Sequence, residues 1–80
     1  MKIEEIKKDI ADYIMFQFNA DEDILADAPI TAYMDSIDMV MLVCWVEGRY
    51  KITLPDRVEW THLNDVVKDV ERRVRQDEGI

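Results

Sequence analysis

The sequence predicts an all-α fold: a small four-helix bundle, with three longer helices, one short third helix and a long loop between helices one and two. Three observations lead there. Apolar residues recur at three- and four-residue steps in three separate stretches, which is the helical period. The chain holds only two Gly and two Pro and no strongly alternating segment, so little of it suits strands. Its 80 residues bound one domain, residues 1–80, near the size at which a single core is just sufficient.

The elements follow in order. Ile3, Ile6, Ile10, Tyr13 and Ile14 form one stripe, with Lys2, Lys7, Lys8 and Asp12 between them. That pattern predicts a helix from about Lys2 to Phe18, stopped at Asn19. Asn19 to Met34 reads as a long connection, acidic at Asp21-Glu22-Asp23 and broken by Pro29. Its isolated apolar residues, Ile24, Leu25 and Ile30, are expected to fold back onto the core and pin it. The acids lack the spacing and the glycine of an EF-hand, so they read as a solvated loop.

Asp35 suits an N-cap, and Asp38 stands three positions later, where a carboxylate can answer backbone N–H groups of the first turn. A second helix is predicted from Ser36 to Tyr50, with the Ser36 hydroxyl turned outward. On a helical wheel Met39, Leu42, Val43, Val46 and Tyr50 share the side expected to face the core. Ile37, Met41, Cys44 and Gly48 gather opposite, flanked by Trp45 and Asp38, with Val40 at the boundary. A solvent-facing surface is normally charged there; this one is apolar. Lys51 to Pro55 reads as a short extended linker, and Asp56 to Trp60 as one or two helical turns opened by the proline. Thr61 is the expected N-cap of the last helix, whose stripe is Leu63, Val66, Val67, Val70 and Val74. Arg72, Arg73 and Arg75 load its C-terminal end, as the helix dipole favours. Gln76 to Ile80 is expected to fray.

Composition excludes several function classes. The net charge of −8 opposes binding to nucleic acid. Residues 1–47 hold eleven acids and three bases, whereas residues 48–80 hold seven of each, so the whole excess lies in the half containing Ser36. Cys44 is the only cysteine, which precludes an internal disulfide and fits a reducing cytoplasm. Glu4, Glu5 and Asp9 interrupt any signal-like opening. The longest apolar run, Met39 to Val46, is far too short for membrane insertion. An enzyme is not expected. His62 and Cys44 stand in no nucleophile–base context, one Cys and one His cannot make a zinc site, and Gly48 and Gly79 stand apart from any phosphate loop. No metal site is assigned.

With the segments placed, Asp35 to Asp56 resembles the acyl carrier protein family. The family pattern D-S-L-D-x-V-x-L-V…E…F…I-P-D is met without a gap by Asp35, Ser36, Ile37, Asp38, Val40, Leu42, Val43, Glu47, Tyr50, Leu54, Pro55 and Asp56. Pro29-Ile30 is similar to the family's "P-L" ahead of the serine. The resemblance implies a covalent 4′-phosphopantetheine arm on Ser36, presented with the help of Asp35 and Asp38. The arm would carry acyl or aminoacyl groups as thioesters between enzymes of fatty-acid and other lipid, polyketide or nonribosomal peptide biosynthesis. The implied partners are a phosphopantetheinyl transferase and acyl-transferring or acyl-activating synthases, with the chain itself a monomer. Ile37, Val40, Met41, Cys44 and Trp45 are the expected partner-binding residues.

Within that resemblance, three departures imply a divergent, specialised carrier. Tyr33-Met34 occupies the region of the glycine that usually precedes D-S. Met41 and Gly48 replace two glutamates common on helix two, and the third helix is trimmed. The alternative is a carrier fold that stays unmodified and binds a partner through the apolar face of helix two.

Overall fold

A computed structural model describes residues 2–78, with side chains through residue 75. Among the described residues there are three α-helices and no strand: α1 (Ile3–Phe18), α2 (Ser36–Tyr50) and α3 (Leu63–Glu78). Two short 3-10 helices, Glu22–Ala26 and Ile30–Ala32, lie between α1 and α2.

The core is aliphatic and runs through all three helices. From α1 it takes Ile6, Ile10, Ala11 and Ile14, from α2 Leu42 and Val46, and from α3 Leu63, Val66, Val67 and Val70. The spacing of each set is the helical period read in the sequence, so each helix presents one buried stripe. The first residue of the α1 stripe, Ile3, remains exposed at the helix end. Helix α1 packs chiefly on α3. It ends at Asn19, which adopts the left-handed conformation that closes many helices.

The first connection is better ordered than a solvated loop. Asp21 caps the first 3-10 helix by accepting from the Asp23 N–H, and Tyr33 reaches back to donate its hydroxyl to Asp23 at 2.8 Å. Ile24 and Ile30 are buried as expected, but Leu25 is 43% exposed. Successive residues of a 3-10 helix point about 120° apart, so Ile24 and Leu25 cannot both face the core. The Ile30 N–H then donates to the Thr61 carbonyl at 2.8 Å, tying this connection to the approach of α3.

The second connection differs most from the sequence expectation. Residues 52–61 contain no helix, so the one or two turns expected over Asp56 to Trp60 are replaced by irregular chain with a bend at Asp56. Ile52 and Leu54 are buried with Thr53 exposed between them, the two-residue period of an extended segment. Distant side chains hold this path. The Leu54 N–H donates to the Glu47 carboxylate at 2.9 Å, and Arg73 donates to the Thr53 carbonyl. Trp60 is buried, and its indole N–H donates to Asp69 on α3 at 3.1 Å.

Helix α3 begins at Leu63, two residues after the expected Thr61 cap. Its first turn is closed from inside: one oxygen of Asp65 accepts from the backbone N–H groups of both Thr61 and His62. Those two bonds hold the Asp65 carboxyl below its ordinary value. Helical backbone continues through Glu78, beyond the point where fraying is expected; residues 79 and 80 lie outside the described residues. Of the expected C-terminal arginines, Arg72 and Arg73 instead turn back to pair with Asp69.

Candidate functional site at the start of helix two

Ser36 is the first residue of α2, and Asp35 is its N-cap. The cap is reciprocal. Asp35 Oδ1 accepts from the Asp38 N–H at 2.9 Å, while Asp38 Oδ2 accepts from the Asp35 N–H at 3.2 Å. This is a capping box built from two aspartates, and it fixes the direction in which the chain enters the helix. Ahead of the cap Met34 is buried, while Met39 packs against the same core from the far side of the first turn. Polar and apolar contacts thus clamp the backbone on both sides of Ser36, whose own residue is exposed. An exposed hydroxyl on a rigid helix start, at the positive end of the helix dipole, is well placed to carry an anionic substituent.

Beside the serine lies an open cleft of about 370 Å³, lined by Ser36, Met39, Val40, Val43, Cys44 and residues 56–58. One wall is the N-terminal half of α2; the other is the second connection. Chain geometry brings them together. Fifteen residues of α2 rise about 22 Å, and roughly seven extended residues return the same distance. A chain of that length after Tyr50 can therefore reach back, and Asp56, Arg57 and Val58 stand beside Ser36. Sequence reasoning missed this wall because it placed a helix there. The sequence reading of Lys51 to Pro55 as extended agrees with the buried Ile52 and Leu54 on either side of exposed Thr53.

The expected partner-facing residues divide. Ile37 is 70% and Val40 61% exposed, Met41 and Cys44 are also exposed, and together they form one side of α2. Trp45 departs from that group. It is half-buried, stacked face to face on Tyr13 of α1 at 4.1 Å between ring centroids, with Tyr50 edge-on to it. Its rings serve the α1–α2 junction first.

That junction has a polar clasp at its lower end. Asp9 of α1 accepts from Arg49 Nε at 2.8 Å and from the Tyr50 hydroxyl at 2.7 Å. Burial alone would push the Asp9 carboxyl up; the two donors and the Arg49 charge outweigh it and hold the group below its ordinary value. Burial and the bond to Asp9 push the Tyr50 hydroxyl far up, so it stays a donor at any physiological pH. The clasp anchors the C-terminal end of α2 as the capping box anchors its start.

No protein-family model matches this chain, and neither the curated proteins nor the solved structures searched contain a match.

Proposed function

We propose that the chain is a carrier protein of the acyl carrier type, with Ser36 as the attachment point for a 4′-phosphopantetheine arm. The observation that carries the reading is the exposed Ser36 hydroxyl, held by the Asp35–Asp38 capping box at the mouth of an apolar cleft. The D-S-I-D motif and the downstream Leu54-Pro55-Asp56 add to it. In this reading Ser36 is a site of modification, not a catalyst. Its oxygen would form a phosphodiester by displacing the nucleotide portion of coenzyme A, the pyrophosphate bond breaking as the new bond forms. The thiol of the arm would supply a thioester for acyl or aminoacyl transfer.

The chain's residues fit such a substituent. The first turn of α2 offers its dipole to the phosphate. Arg57, which lines the same cleft, adds a positive charge there. Asp35 and Asp38 each commit one oxygen to the capping box and keep the other for a magnesium-bearing transferase. Met39, Val40, Val43 and Val58 offer apolar wall to the arm or its cargo. The four-helix form of the family would have its third helix at residues 56–60, and in this chain an irregular segment takes that place. The partners in this reading are the transferase and the synthases that load and unload the arm, docking along α2. The exposed apolar side of α2 also suits the second reading, an unmodified adaptor.

Intact mass decides between the two. Incubated with coenzyme A, magnesium and a broad-specificity phosphopantetheinyl transferase, the chain should gain the mass of one arm. Ser36→Ala should gain none while melting like the parent. An unchanged mass under conditions that load a control carrier overturns the proposal and leaves the adaptor.

A further inference from the structure

One wall of the Ser36 cleft is a stripe of α2. Met39, Val40, Val43 and Cys44 follow Ser36 at steps of three and four residues, so the cleft runs from the serine along one side of the helix to an exposed thiol. From Ser36 to Cys44 the helix rises about 12 Å. The other wall contributes two charged groups, Asp56 and Arg57. Among the described residues Arg49, Arg72, Arg73 and Arg75 are each paired with a carboxylate, at Asp9, Asp69, Asp69 and Glu71. Arg57 is exposed and is paired with none, although the chain holds 18 acids against 10 bases. A guanidinium left open at the edge of a largely apolar cleft suits an anion that is attached to an apolar or amphipathic body.

We infer that Arg57 holds the phosphate carried on Ser36, and so lays the arm down the cleft, over Val40 and Val43, where it covers Cys44. The inference rests on the carrier reading and adds to it a docked state of the arm. Ser36 and Arg57 line the same cleft, so a phosphate on the serine oxygen enters the space that the guanidinium faces. The planar fork of an arginine can donate two bonds to a phosphate at once, which no lysine can reproduce. Arg57 is the only cation among the lining residues, so the contact has no rival within the cleft. Because that contact is exposed to solvent, salt weakens it.

The test uses coenzyme A whose thiol is capped as a methyl thioether, loaded by a broad-specificity phosphopantetheinyl transferase. Cys44, the one cysteine, is then the only free thiol. Intact mass reads the loading, and the rate at which N-ethylmaleimide adds to Cys44 reads the docking. Cys44 should react about tenfold or more slowly in the loaded chain than in the unloaded one. Arg57→Gln should load and melt like the parent, because the side chain makes no bond within the fold, and should lose that protection. The phosphorus resonance of the arm should shift between parent and variant, and Arg57→Lys should restore the protection in part. Moderate salt should release Cys44 in the loaded parent and leave the unloaded chain unchanged. An arm that loads while Cys44 still reacts at the unloaded rate overturns the inference and leaves the carrier reading standing. Protection that survives Arg57→Gln does the same. A chain that takes no arm overturns both.

Discussion

The two connections between helices solve one problem in opposite ways. Each must satisfy the backbone N–H and C=O groups of a segment that is not α-helical. The first, from Asn19 to Asp35, does so mainly within itself, its one long-range backbone bond being that of the Ile30 N–H to the Thr61 carbonyl. Two 3-10 helices, the Asp21 cap and the Tyr33–Asp23 bond join residues of the same segment, and Ile24 and Ile30 fasten it to the core. The second, from Lys51 to His62, has no helix of its own and borrows partners: Glu47 from α2, Arg73 and Asp65 from α3, and Asp69 for the Trp60 indole. A self-satisfied segment depends on its apolar anchors, whereas a borrowed path depends on distant polar side chains. Because the second connection forms one wall of the Ser36 cleft, the shape of the candidate site rests on those borrowed bonds.

Substitutions can break this contrast at each end. Ile30→Ala should have the largest effect, about 2–4 kcal/mol in urea unfolding, because a fully buried anchor leaves a cavity. It should loosen the first connection without altering the cleft. If the loss is below about 1 kcal/mol, apolar anchoring does not hold that connection.

Next comes Asp69→Asn, at about 1–2 kcal/mol, through the bonds to Trp60, Arg73 and Arg72. Its pH dependence is a sharper test. Burial raises the Asp69 carboxyl, but the Trp60, Arg73 and Arg72 donors outweigh it and leave the group below its ordinary value of 3.8. A carboxyl lowered in the folded state adds stability that is complete above the ordinary value and is lost as pH falls through the folded one. The parent should therefore lose stability below about pH 4, and Asp69→Asn should lose less. Asp9 is lowered in the same direction and keeps part of the slope. Acid-unfolding curves that coincide for the two proteins would discount the Asp69 hub.

Glu47→Ala should follow at about 1 kcal/mol, the cost of leaving the Leu54 N–H without its partner. Amide exchange should quicken at Leu54, and transferase loading of Ser36 should slow as the cleft wall loosens. Exchange rates matching the parent would mean that water replaces the carboxylate at no cost.

The smallest effect concerns charge. The first connection carries Asp21, Glu22, Asp23 and Asp27, in the acidic half of the chain. Millimolar magnesium or moderate salt should raise the melting temperature slightly by screening their repulsion. No change would show that the local caps already compensate these acids.

The three helices and the start of α2 were legible because their causes are local. The stripes of α1 and α3 carry the helical period, Asn19 ends α1, and an aspartate on each side of Ser36 forms a cap within four residues. The second connection was not legible, because Pro55-Asp56 satisfies local rules for a helix start while Trp60 finds its partner nine residues away on another element. Leu25 was misplaced for a related reason: its neighbour Ile24 takes the one inward position of that turn. The exposed stripe of α2 was visible on a helical wheel, but the withdrawal of Trp45 from it depended on Tyr13, a residue of a different helix.

By itself, then, the sequence determined where the helices lie, how α2 is capped, and that an uncharged side of α2 accompanies an outward serine. These follow from the spacing of apolar residues and from hydrogen bonds spanning three or four positions. Tertiary structure alone decided that residues 56–60 form no helix, that residues 56–58 close a cleft beside Ser36, and that Trp45 belongs to the α1–α2 junction. Each of those depends on partners far along the chain, whose approach is fixed only when the helices pack.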